Sequence, residues 1–268
     1  MKTVVNEPLA KTFGWLRVNG TEVDAPENAE KLSLSLSENE ERTVAVENAA
    51  QIEAKLAKGA TLKLIQLRRG GDETLVSDIR VNCAEGARFE WYRVVLGGAA
   101  SYDNCSVELA GDGSSFAAEL GYRLGGKEKL DVNCEAIHLG KCTKSAIHSS
   151  GVLAGESFKL MRGTIDFRTG CSGSSGNETE DVLLLDDTVR NQSVPVILCA
   201  EEDVAGDHGA TIGRLDEQLV YYLEARGIER DFVYEMMAKA KLDAVIRKLP
   251  DEKLRRELLG EEEANELD

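Results

Sequence analysis

A mainly β body followed by a small C-terminal α-helical unit is the fold class that this sequence predicts, on three observations. From Thr61 onward, short alternating runs such as "TLKLIQL", "SDIRVNC", "RFEWYRVVL", "CSVELAG", "SFAAELGYRL" and "DVNCEAIHLG" follow one another, parted by Gly, Asp, Asn and Ser. Asn-Cys recurs at 82–83, 104–105 and 133–134, and glycine-bearing turns recur near Gly86, Gly113, Gly140, Gly155 and Gly170. After "HGATIG" the apolar period changes from two to that of a helix. With 268 residues, 42% of them hydrophobic, the chain is long enough to bury a substantial core.

Taken in order, residues 1–60 read as an N-terminal α/β segment. "KTFGWLRVN" brings aromatic residues, and "SENEERTVAVENAAQIEAKLAKGA" ends in a short helix stopped by Gly59. Residues 61–212 form the β body, in strands of about 5 to 8 residues. Turn spacings of roughly 15 to 30 residues suit the coils of a β-solenoid, in which an inward Cys or Val stacks as a ladder. An antiparallel sandwich has turns at comparable intervals, and periodicity alone leaves both architectures open.

Residues 213–268 form the helical unit. In the first helix Leu215, Leu219, Tyr222 and Leu223 recur at helical spacing, Asp216 is the N-cap and Gly227 closes the segment. The second, "ERDFVYEMMAKAKLDAVIRKL", is expected to bury Phe232, Val233, Met236, Met237, Ala240 and Ala244, and it breaks at Pro250. "DEKLRRELLGEEEANELD" reads as a short amphipathic helix with an acidic tail.

Charge narrows the function classes. Acidic residues number 48 against 32 basic, a formal charge of −16 that repels nucleic acid and anionic lipid alike. No run approaches the roughly 20 apolar residues of a membrane span, and "MKTVVNEPLAKTFGW" lacks a signal-peptide core, so a cytoplasmic location is expected. The six cysteines, none in a C-x-x-C pair, are then expected to stay reduced.

Few motifs promise chemistry. "GYRLGGK" (121–127) matches seven positions of a phosphate-binding loop, but Glu128 stands where a magnesium-holding Ser or Thr belongs and a strand pattern follows, so a β-turn is expected. His138, His148 and His208 are scattered, and no spacing joins them to the cysteines as a metal set. His208 stands out for its neighbours Glu201, Glu202, Asp203 and Asp207; it is a turn histidine bonded to a carboxylate, or a ligand. There is no G-x-S-x-G and no spaced catalytic triad. Tyr221 and Tyr222, adjacent on one helix, cannot both face a core, which leaves one for a partner surface.

From about Ser145 to Leu249 the sequence resembles the SufB/SufD family of iron–sulfur cluster assembly proteins. The resemblance is carried by Arg162-Gly163, Leu183-Leu184-Leu185, Val194-Pro195, His208-Gly209-Ala210-Thr211 and the stretch from Leu223 to Arg226-Gly227-Ile228. It implies a right-handed parallel β-helix, a C-terminal helical unit that docks a SufC-like ABC ATPase through residues such as Asp216, Tyr221, Tyr222, Arg226 and Gly227, and pairing with a second SufB/SufD-type subunit. The pattern "HGAT-x-G-x-LDE" is similar to the SufD branch. Val189 occupies the place of a SufB cysteine and Gly206 that of a cysteine often found in SufD, so His208 is the family residue carried over, with Cys199 a nearby substitute.

The resemblance implies a non-enzymatic subunit of a SUF-type complex that handles an iron–sulfur cluster or iron transiently. The alternative is an adaptor that dimerises and docks the ATPase without holding a cluster. A solenoid enzyme, acyltransferase or lyase, is the remote alternative, and sustained hexapeptide repeats are missing.

Overall fold

The computed structural model describes residues 2–24, 30–47 and 50–261. Strands β1 (Lys2–Val5) and β2 (Thr21–Asp24) pair antiparallel, with a 3₁₀ turn at Gly14–Leu16 between them. Fourteen further strands follow: β3 (Glu30–Leu36), β4 (Glu41–Glu47), β5 (Ala50–Leu56), β6 (Thr61–Arg68), β7 (Thr74–Cys83), β8 (Arg88–Leu96), β9 (Ala100–Leu109), β10 (Ser115–Leu124), β11 (Lys129–His138), β12 (Lys144–Leu153), β13 (Phe158–Phe167), β14 (Ser174–Leu184), β15 (Arg190–Cys199) and β16 (Val204–Gly213). The odd strands from β3 to β15 make one parallel seven-stranded sheet and the even strands from β4 to β16 the other. Successive strands alternate between sheets, so each pair completes one coil of a parallel β-solenoid. The parallel pairing removes the sandwich alternative.

Period-two alternation explains the core. Inward residues pack on their equivalents one coil away: Phe89 and Phe116 are register partners whose rings stack with centroids 5.5 Å apart. Cys105 and Cys134 form the expected thiol ladder, both buried, whereas Cys83 pairs with Leu109 and stands outside it. The recurring glycines mark one corner of the coil. Asn39, Gly59, Gly86, Gly113, Cys142 and Gly173 all adopt positive φ, and each donates its backbone N–H to the next coil. A left-handed corner favours glycine because it lacks a Cβ.

Two sequence expectations change. The helix expected to end at Gly59 is strand β5, because Ile52, Ala54 and Leu56 bury every second residue; Gly59 punctuates a solenoid corner instead of a helix end. Strand pairing accordingly runs from Glu30, within the stretch read as an N-terminal segment, and the hairpin β1–β2 lies across the outer face of the odd sheet.

The helices are α1 (Glu217–Glu224), α2 (Arg230–Ile246) and α3 (Glu252–Leu259). Asp216 caps α1 by accepting from the Gln218 N–H at 2.8 Å, and Asp251 caps α3 just after Pro250. α2 packs on the outer face of β10 and β12 through Val233, Ala238, Leu242, Val245 and Ile246. The predicted stripe is thus rotated: Val233 is buried, but Phe232 and Met236 are 62% and 41% exposed, and Ala240 and Ala244 also face outward. The sheet offers its apolar seam of Ile65, Leu67 and Val94 to the opposite flank of the helix. In α1 only Val220 is buried, and Leu219 of the expected stripe is exposed. Gly121, first glycine of "GYRLGGK", lets α2 approach, since a Cβ there would lie 3.1 Å from Val245. Tyr122 to Leu124 complete β10, and Gly125 to Lys127 lie in the turn expected before β11, with Lys127 in a surface ion pair with Glu156. Among the described residues no helix is long and apolar enough to cross a membrane.

Candidate functional site

Among the described residues, stacking stops at one end of the solenoid with β15 and β16, one edge strand of each sheet. Their inward side chains have no further coil above them. On β15 these include Ser193, Pro195, Ile197 and Cys199; on β16 they include Gly206, His208, Ala210 and Ile212. Pro195 suits an edge, where no ladder hydrogen bond is demanded of its nitrogen. Ile197 and Ile212 are exposed here although their equivalents one coil below, Ile165 and Val182, are buried.

His208 lies at the centre of this open end. Its register partner on β14 is Glu178, whose carboxyl points inward and is covered by the last coil. Glu178 faces Gly163 on β13: a Cβ at that glycine would lie 2.0 Å from the carboxyl oxygen. The Arg-Gly pair singled out in the sequence is therefore a steric slot on its glycine side. Pro195 and His208 stand one coil above Gly163 and Glu178, so the Val-Pro and His-Gly-Ala-Thr blocks meet across the open end.

Beside Glu178 the interior holds more charge. Lys159 on β13 donates to Glu180 on β14, and Ser193 also donates to Glu180. Burial pulls the Lys159 ammonium down to about 7, with Glu178 opposing, and pushes the Glu178 carboxyl up to about 7, with Lys159 opposing. Such groups inside a solenoid cost several kcal/mol each unless well paired. Sequence reasoning missed them. The signal was parity, since in "NETEDVLLL" Glu178 and Glu180 share a face with Val182.

On the other face of β13, Arg162 donates to the Val18 carbonyl at 2.5 Å and pairs with buried Asp131. Asp131 also accepts from Asn6 and Thr21, so one ion pair seats the whole N-terminal hairpin. A third buried pair, Arg93 with Asp103 at 2.9 Å, joins the two sheets further down.

The other candidates separate from His208. Cys199 is exposed, with its thiol 3.0 Å from the Glu201 carbonyl. It lies at the far end of β15, level with the start of β16, and four residues of extended strand, about 13 Å, part that level from His208. It is not placed beside the imidazole. Val189 packs against the core, and at Gly206 a Cβ would lie 3.1 Å from Phe167. His138 is buried between Thr143 and Ser145, at 2.7 and 2.9 Å, and burial holds its imidazole down at about 4. His148 bonds Glu119 on the even sheet, 2.7 Å away. Among the described residues no three His, Cys, Asp or Glu side chains converge as a metal set.

A second surface lies on the helical unit. Tyr221 and Tyr222 are 73% and 49% exposed, and the Arg226 guanidinium stacks 4.0 Å from the Tyr222 ring. Both tyrosines therefore face outward, as do Phe232 and Met236. Gly227, at φ 84°, turns the chain between α1 and α2.

The family model described as "SUF system FeS cluster assembly, SufBD core domain" matches residues 17–241. The chain belongs to the SufBD family. Among curated relatives, the chloroplastic SufBD family protein ABCI8 of Arabidopsis thaliana is 27% identical over 76% of this chain and 38% of its own length. The iron–sulfur cluster assembly protein SufD of Bacillus subtilis is 25% identical over 65% of this chain and 40% of its own. The SufBD family protein ycf24 of Antithamnion is 26% identical over 76% of this chain and 72% of its own. Against the first two, the match spans about two fifths of the relative. The SufBD core thus includes the open end with His208, both sheets and most of α2.

Proposed function

We propose that this chain is a SufD-like, non-catalytic subunit that pairs with a second SufB/SufD-type subunit through the open end of the solenoid and docks a SufC-like ABC ATPase through α1 and α2. The observation that carries the reading is the coexistence of two unsatisfied surfaces on one rigid body. Edge strands β15 and β16 present unpaired backbone together with Ile197 and Ile212, and sheet edges of that kind are templates for pairing. The outward aromatic and apolar side chains of α1 and α2 form the other, with Arg226 stacked among them, a composition typical of interface centres. The broken phosphate loop accords with a chain that leaves ATP hydrolysis to its partner. ATPase closure, transmitted through α2 to the even sheet, would part the paired open ends and expose His208 to an iron or cluster cargo.

The test is co-purification with a co-expressed SufC-type ATPase, with Tyr222 and Arg226 both replaced by alanine in a second preparation. Capture is expected to fall at least tenfold in the variant while the thermal midpoint stays within a few degrees. If the native chain captures no ATPase, the docking reading is wrong.

An adaptor role without a cluster is the second reading. It is favoured by Val189 and Gly206 in place of cysteines and by the lack of three convergent ligands among the described residues. Anaerobic reconstitution of the paired complex, read by absorbance and iron content for the native chain and for His208→Ala, separates the two.

A further inference from the structure

The interior beneath His208 has a feature that the pairing and docking surfaces do not explain. Three ionisable groups, Lys159, Glu178 and Glu180, are enclosed between the two sheets. Lys159 and Ser193 both serve Glu180, so that carboxylate is satisfied. Glu178 is 6% exposed, and the ammonium that favours its ionised form, Lys159, already pairs with Glu180. With one ammonium against two carboxylates, the cluster is one positive charge short when both acids are ionised. A carboxylate that shares one ammonium with a second buried acid is unfavourable in such a site, and an apolar side chain would fill the space at less cost.

The backbone is shaped to keep this carboxyl there. Gly163 supplies the slot, since any side chain at that position would overlap the Glu178 oxygens. Directly above, on the next strand about 4.8 Å away, stands the imidazole-bearing residue of the last coil, exposed to incoming ligands. A neutral imidazole and an ionised carboxylate in neighbouring positions are donors suited to first-row divalent cations such as ferrous iron.

We propose that Glu178 is a second ligand for a divalent transition-metal ion entering at His208, with Lys159 and Glu180 forming an internal ion pair that holds the remaining charge balanced. This rests on the reading of His208 as an iron ligand and adds the residue behind it. Solvent or a residue of the pairing subunit completes the coordination. The bound cation supplies further positive charge, and Gly163 is required because a side chain there would displace the carboxyl.

Anaerobic titration of the full chain with Co(II) tests this, using the cobalt d–d absorption as the readout. Glu178→Gln keeps shape and removes a buried charge, so its thermal midpoint is expected to equal or exceed that of the native chain. Native protein is expected to bind one Co(II) per chain, with affinity at least tenfold weaker in Glu178→Gln and in His208→Ala. If Glu178→Gln binds as the native chain does while His208→Ala does not, the proposal for Glu178 fails and the His208 reading stands. If neither variant changes binding, or the native chain binds no cobalt, both fail.

Discussion

His138 shows what one buried side chain contributes. Thr143 and Ser145 serve its two ring nitrogens and the Phe167 ring packs 4.7 Å away, so the neutral form is enclosed and burial holds the group at about 4, against an ordinary value near 6.5. The unfolded chain therefore binds a proton that the folded chain refuses between those two values. Its contribution is fully present above about pH 6.5 and is lost as pH falls toward 4, a total of about 3 kcal/mol. Urea denaturation at pH 7 and pH 4.5, for the native chain and for His138→Gln, is expected to show a steeper loss in the native chain by about 2 to 3 kcal/mol. Parallel losses in the two proteins would mean that this imidazole is not the titrating group.

The hairpin β1–β2 gains its place from the sheet beneath it. Two antiparallel strands are marginal alone, and this pair is fixed by hydrogen bonds to one Arg162–Asp131 unit. Arg162→Ala leaves Asp131 buried without its counter-charge and is expected to destabilise the chain by about 3 kcal/mol or more. It should also open residues 1–24 to limited proteolysis before the solenoid unfolds. Adding Asp131→Asn should recover part of the loss; no recovery would show that the charge of Asp131 is not the cause. The helices are held differently. Pairs such as Arg123–Glu235 and Lys248–Glu119 are partly exposed, and such pairs contribute about 0 to 1 kcal/mol each. The apolar seam of Leu242, Ile246 and Leu249 on Ile65, Leu67 and Val94 therefore carries most of the docking energy.

A solenoid buries each coil against the next, so its ends are where the physics is incomplete. At the end carrying His208, inward positions that are apolar and covered elsewhere meet solvent. Ile197→Glu puts a charge in that row and is expected to abolish pairing with another copy or with a co-expressed relative, while the thermal midpoint of the single chain changes little. Light scattering after size-exclusion chromatography reads this directly. Pairing at native strength in the variant would place the interface elsewhere on the molecule.

Strand content, the corner glycines and the helical caps at Asp216 and Gly227 were legible in the sequence because each follows from local chemistry: period two, a missing Cβ, a side chain that accepts from a nearby N–H. The family motifs marked His208 for the same reason, as a local string. Local pattern also misled. Around Gly59 a helix-like composition yielded to the burial of alternate residues, and in α2 several faces were apolar enough to be core. Only the tertiary structure decided which face of α2 is covered, because the choice belongs to the sheet it lands on. It alone brought Glu178, Gly163 and Lys159 beneath His208, since residues a coil apart become neighbours only once the chain has wound on itself. The sequence by itself determined what each coil is made of, and the stacking determined which coil lacks a neighbour and so is free to act.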